Sequence, residues 1–119
     1  MNEHNIIDIL LSRFPELNEQ YEKEKEFIEG MPYYVCESIF FKYITEVCKE
    51  FNESKIIEIR DFMEEMALCT DEYIDNLFGV SVIEPLIYTP DTLKILLPYL
   101  KPKTLHELVT MENWFVNNK

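Results

Sequence analysis

Glycine is almost absent: the chain has 2 in 119 residues, Gly30 and Gly79, beside 6 prolines. Two isolated glycines cannot build a loop that cradles phosphate, which needs several within one turn. So few turn residues also argue against a set of β-hairpins and for helices joined by short connections. Histidine is equally sparse. His4 and His106 stand near opposite ends of the chain, and there is no ExxH, no HExxH and no Cys/His cluster. Zinc and carboxylate-bridged di-iron chemistry therefore find no ligand pattern, and no cofactor is expected. Cys36, Cys48 and Cys69 lack CxxC spacing, and neither G-x-S-x-G nor a catalytic cysteine context occurs. Cys36 and Cys48 lie on one expected helix, about 18 Å apart along its axis, too far for a disulfide. Three scattered thiols at apolar positions fit a reducing compartment. No apolar run reaches the roughly 18 residues of a membrane span, and Met1–Asn5 lack the basic stretch of a signal peptide. The expectation is a cytoplasmic protein with no membrane contact.

Positive charge is the last scarcity. There are 11 lysines and arginines against 23 acidic residues, a net charge of -12. The imbalance is uneven: residues 70–89 hold Asp71, Glu72, Asp75 and Glu84 with no lysine or arginine at all. Such a field repels nucleic acid and anionic lipid, and favours a basic protein partner that associates quickly and in a salt-dependent way. Aromatic RNA platforms need basic neighbours, whereas the aromatics here lie among acids.

What is present is a hydrophobic fraction of 47%, enough for a folded core and too much for disorder. One domain over residues 1–119 is expected, all-α, as an irregular bundle of helices. A short α-solenoid of stacked helix pairs is the alternative, although no sequence period marks a repeat. The central element is read over residues 71–84. Thr70 is its expected cap, Asp71 and Glu72 complement the helix dipole, and Tyr73, Ile74, Leu77 and Phe78 follow at helical spacing. From Val80 onward apolar residues sit on every side, so this helix is expected to be the most buried. Gly79 implies close packing by another helix, and Pro85 is expected to end or kink the helix near Glu84.

Around it, Ile6, Ile7, Leu10, Leu11 and Phe14 form a short amphipathic helix. A mostly charged helix follows from Pro15 to about Ile28 and ends at Gly30, so residues 1–30 read as peripheral. Met31-Pro32 opens a core helix whose stripe is Cys36, Phe40, Ile44, Val47 and Phe51. After Asn52-Glu53-Ser54, an antiparallel neighbour points Ile56, Ile59, Phe62, Met63, Met66 and Ala67 inward. Thr89-Pro90 starts another helix, with Leu93, Leu96, Leu97 and Leu100 as its core face. The last helix opens on the capping-box match Thr104-Leu105-His106-Glu107 and uses Leu108 and Trp114. Trp114 and Tyr99 are also possible interface anchors, with core packing the commoner role for Trp114.

The residues that remain for function are carboxylates. Glu58, Asp61, Glu64 and Glu65, then Asp71, Glu72 and Asp75, form an acidic band. Glu58, Asp61 and Glu65 recur at i, i+3, i+7 and so share a helix face. The band is read as a docking surface for a basic partner. For any single member, a solvated helix face is the ordinary explanation. Glu84, among Val82, Ile83, Pro85 and Leu86, is either half-buried or turned to solvent at a helix end.

The stretch Phe62-Met-Glu-Glu-Met-Ala-Leu-Cys-Thr-Asp-Glu-Tyr-Ile-Asp-Asn-Leu-Phe-Gly-Val-Ser-Val-Ile-Glu-Pro-Leu, followed by Leu97-Pro-Tyr-Leu-Lys-Pro-Lys-Thr, resembles an uncharacterised family of small acidic all-helical bacterial proteins. Proteins of this kind are similar to immunity proteins that neutralise secreted bacterial toxins. The match covers about the C-terminal half of the chain and carries no catalytic residue. The resemblance implies a non-catalytic inhibitor that occludes a basic toxin or effector with an acidic face. A helical adaptor or scaffold subunit is the second reading, and an enzyme built on buried carboxylates the third.

Overall fold

The computed structural model describes residues 1–118. Seven helices account for nearly all of them, and there is no strand among the described residues. We label them α1 (Ile6–Arg13), α2 (a 3-10 turn Pro15–Leu17 running into Asn18–Ile28), α3 (residues 32–50), α4 (Glu53–Leu68), α5 (residues 72–87), α6 (Pro90–Leu96, tightening into Leu97–Tyr99) and α7 (Pro102–Asn117). The radius of gyration is 13.8 Å, close to the roughly 13.5 Å of a compact chain this long. Contacts also run between helices far apart in sequence: α4 and α5 both pack on α7, and α3 packs on α6. In a solenoid each repeat touches only its neighbours, so this is a bundle and not a stack of helix pairs.

Two helices form the centre, and both contain a π turn. In α3 the turn is Cys36–Phe40, in α5 it is Gly79–Ile83, and the two turns pack against each other. The cause is legible in the spacing. Val35, Ile39, Tyr43 and Val47 are all buried, as are Cys36, Phe40, Ile44 and Cys48. These repeats are four residues long. An α-helix has 3.6 residues per turn, so each four-residue step drifts about 40° around the axis. One wider π turn absorbs that drift and keeps the apolar pairs on one face. Ile74, Phe78, Val82 and Leu86 in α5 repeat the pattern, and all four are buried.

The π turn also explains why α5 does not stop at Glu84. The Glu84 amide bonds the Gly79 carbonyl, and the helix continues through Pro85 to Ile87. The proline thus enters where the regular i→i−4 ladder is already interrupted. The cap of α5 is Asp71 and not Thr70: its carboxylate accepts the Ile74 amide at 3.1 Å. Nor is α5 buried all round, since Val80 is exposed, and α3 buries at least as much of its length. Over Gly79 lies only the Met111 side-chain tip, whose methyl would meet an added Cβ at 3.4 Å. That is ordinary contact with a flexible group, and the backbone there is right-handed helical. Gly79→Ala is therefore expected to stabilise the fold by about 0.5–1 kcal/mol. Urea denaturation checks this, and a loss instead would mean that Met111 cannot give way.

Elsewhere Gly30 closes α2 with φ +73°, as a C′ residue does. Phe51 closes α3 in the same left-handed region, with φ 52°. It is exposed, its ring set edge-on to Tyr99 with centroids 6.5 Å apart, and so it leaves the core stripe expected for it. The inward set of α4 is buried as expected. On α6 and its extension, Leu96 and Leu100 are buried but Leu97 is exposed. Residues 1–30 are less peripheral than their charge suggests. Ile6, Leu10, Phe14, Leu17, Tyr21 and Ile28 are all buried. Phe14 closes a triangle of rings with Phe40 and Phe62, at centroid distances of 5.5 and 5.4 Å. Cys36 and Cys48 are buried free thiols on α3, and burial pushes the Cys36 thiol up to about 12. Among the described residues no helix is long and apolar enough to cross a membrane.

Candidate protein-binding surface

The acidic band lies along α4 and the start of α5, and the fold already uses four of its seven carboxylates. Asp61 receives Lys101 Nζ at 2.8 Å and Arg60 Nη2 at 3.1 Å. The Lys101 hydrogen bond first, then Arg60, holds its pKa below the usual range. Glu65 forms a two-pronged pair with Arg13 of α1, with Nη2 donating to Oε1 at 2.8 Å, and that pair depresses its pKa. The Arg13 guanidinium also sits 5.3 Å from the centre of the Phe62 ring.

Glu64 has a different task. It accepts the amides of Lys103 at 3.1 Å and Thr104 at 2.9 Å, and the Thr104 hydroxyl at 3.0 Å. The first turn of α7 has no side-chain cap of its own. Glu64 reaches across from α4 and caps it, where amide donors and the helix dipole both favour a carboxylate. Burial is the largest single influence on Glu64 and raises its pKa, but the amides and the Thr104 hydroxyl together outweigh it and the net shift is downward. The expected capping box of α7 is thus not formed. Thr104 is buried within the first turn, and Glu107 pairs instead with Lys103 at 3.3 Å.

Asp71 caps its own helix. Glu58, Glu72 and Asp75 remain exposed, with no ion pair among the described residues. The i, i+3, i+7 spacing concerns Glu58, Asp61 and Glu65, all on α4, and could not say which cations fold back over them. Arg13 and Lys101 come from distant parts of the chain, and no local pattern foretells them.

A cleft between α2 and α3 carries the closest approach to carboxylate chemistry. Tyr43 donates its hydroxyl to Glu16 Oε2 at 2.6 Å, and Lys55 Nζ lies 3.9 Å from the same oxygen. Burial first, then the bond to Glu16, raises the Tyr43 pKa. Burial is the largest influence on Glu16 and raises its pKa, but the Tyr43 bond, a backbone hydrogen bond and Lys55 together leave it net depressed. The phenol stays protonated and the carboxylate charged. No group of His, Cys, Asp and Glu among the described residues is arranged to hold a metal ion.

Trp114 is one of the two interface-anchor candidates of the sequence, and the aromatic surface it shares with Tyr88 and Phe115 is what sequence reasoning missed. Tyr88, which ends α5, and Trp114 flank Phe115 on the last turns of α7, with centroid distances of 5.8 and 5.2 Å. Tyr88 is 68% exposed and Trp114 59%. Beside them a cleft of about 470 Å³ is lined by Glu84, Glu107, Met111, Trp114 and Phe115. Helical arithmetic contained the signal. Leu108, Met111 and Phe115 recur at i, i+3, i+7 and mark the inward stripe. Trp114 stands about 120° round from Leu108 and so faces outward. Glu84 is half-buried at this cleft, and Glu84 and Glu112 have no ion pair among the described residues.

The chain belongs to the DUF7674 family, described as a domain of unknown function, whose model matches residues 7–115. Comparisons with curated proteins and with solved structures find no match.

Proposed function

We propose that this member of the DUF7674 family is a non-catalytic protein-binding module of the immunity type, acting in the cytoplasm on a basic toxin or effector domain. The observation that carries the reading is charge left over after internal pairing. Glu58, Glu72 and Asp75 remain exposed and without ion pairs among the described residues, and residues 70–89 hold no cation to offset them. A net charge of -12 orients and accelerates the approach of a cationic domain. Residues 62–86 and 97–104 resemble a family of small acidic all-helical bacterial proteins, and the similarity of proteins of that kind to immunity proteins supports a toxin as the partner class. Binding by occlusion asks for complementary surfaces and for no reacting group.

The internal pairs also determine which variants test the reading. Reversing Asp61 or Glu65 would strand Lys101 or Arg13 and confuse binding with stability. Glu58→Lys, Glu72→Lys and Asp75→Lys together avoid this. A basic toxin domain identified by affinity capture should bind the triple variant about tenfold more slowly or worse. The melting temperature should stay within a few degrees, and raising salt should slow association of the unaltered protein. Association indifferent to salt, or a full rate in the triple variant, removes the acidic surface from the function.

A further inference from the structure

Trp114 is the single tryptophan of the chain, and it lies largely in solvent against Phe115, whose ring Tyr88 also meets. We propose that the surface between the end of α5 and the last turns of α7 receives a cationic amphipathic helix of a partner protein, whose apolar side chains seat against Trp114 in the cleft and against Tyr88 in the adjoining hollow, with Phe115 lining both. The proposal rests on the reading above that the partner is basic, and adds where on the molecule it is anchored.

Rigid aromatic side chains that stay exposed on a folded domain are the commonest anchors of protein interfaces, because they bury much area at small entropic cost. Two helices with an apolar floor between them form the groove in which an amphipathic helix is ordinarily held. Met111 supplies part of that floor, with its methyl lying over Gly79. Its unbranched thioether adapts to whatever side chain enters.

Charge selects the occupant. Glu84 lines the cleft with no ion pair among the described residues, Glu107 lines it while paired with Lys103, and Glu112 borders the adjoining hollow beside Tyr88. Lysines and arginines flanking an apolar anchor would meet these carboxylates, and a guanidinium or ammonium lying on Trp114 or Tyr88 would gain cation–π attraction. A second copy of this chain is a poor occupant. A two-fold interface sets each patch against itself and so brings acidic rim to acidic rim. Anionic lipid and nucleic acid meet the same repulsion.

Trp114 fluorescence reads the site directly. The probe is a synthetic 18-residue amphipathic helix with leucines on one face and lysines on the other. The control is the same peptide with glutamate replacing every lysine. The lysine peptide should blue-shift the emission saturably, and the glutamate peptide should not. Glu84→Gln with Glu112→Gln should weaken the lysine peptide roughly five- to tenfold. Tyr88→Ala, which leaves the reporter in place, should weaken it more than tenfold. The Glu58→Lys, Glu72→Lys, Asp75→Lys variant should shift it far less. An equal response to both peptides, or binding unchanged in the Glu84/Glu112 and Tyr88 variants, overturns the proposal. A blue shift that grows with protein concentration alone would assign the cleft to a second copy. One produced by phosphatidylcholine vesicles would assign it to lipid, and either result also overturns the proposal. Lysine-peptide binding abolished by the Glu58/Glu72/Asp75 variant and untouched by the others removes this anchor but leaves a basic partner standing. No salt-sensitive binding of the lysine peptide to any form removes both.

Discussion

Phe14→Ala is expected to cost about 3–5 kcal/mol, a large share of the roughly 5–15 kcal/mol that holds a domain of this kind together. Phe14 is fully buried, and its ring meets three others: Phe40 from the α3 π turn, Tyr43 from the following turn and Phe62 from α4. Truncation leaves a void between three helices that cannot close without moving Phe40 and Phe62, which are themselves in contact at 5.6 Å. The neighbouring Arg13 would lose part of its footing as well, since it lies over Phe62 while pairing with Glu65. Chemical denaturation should show one transition at a lower midpoint with an unchanged slope. A separate early transition would instead mean that residues 1–30 fold as an appendage. The control is Phe27→Ala, since Phe27 is 75% exposed and its loss is expected to stay within about 0.5 kcal/mol.

Phe14 is legible as an apolar position of the first amphipathic helix but not as the meeting point of three other rings, because Phe40, Tyr43 and Phe62 come from other helices. Net charge describes the outward face of α2 and says nothing about the turn that joins it to α1. Local chemistry was readable where it was sufficient. The prolines at the first positions of α3 and α6 and Gly30 past the end of α2 act through their own backbone torsions, and the expected starts and stop lie near them. The inward stripe of α4 has ordinary helical spacing and was read correctly. The four-residue repeats of α3 and α5 were legible too, but only to arithmetic that compares four with 3.6. The same arithmetic turns Trp114 outward. Nothing local separates Glu64 from Glu58 or Glu65. Its partners are about forty positions downstream, on a helix whose placement depends on the whole core. The acidic band was therefore legible as a band but not as a site, because pairing is decided by what folds over it.

Glu64→Ala is expected to cost about 2 kcal/mol, because it uncaps α7 without touching a core residue. Two amides and a hydroxyl lose their acceptor, and no side chain near the start of α7 replaces it. Glu64→Gln is the sharper variant, since an amide oxygen in the place of Oε1 still accepts both Thr104 bonds while the charge is gone. Its cost should be smaller, about 1 kcal/mol. The charge leaves a signature in pH. Glu64 has a folded-state pKa below that of an ordinary glutamate. Its contribution is therefore fully present above the unfolded value, about 4.3, and is lost as pH falls through the folded value. Asp61 and Glu65 are depressed as well, so the whole protein should lose stability in the same acid range. The stability gap between the unaltered protein and Glu64→Gln isolates the one residue. It should be widest at neutral pH and narrow steadily below about pH 4, as Glu64 takes up its proton and comes to resemble the glutamine. Urea midpoints measured at pH 7 and pH 3 would show this. A gap of the same size at both would mean that Glu64 holds α7 by shape and neutral hydrogen bonds, and that the helix dipole plays no part.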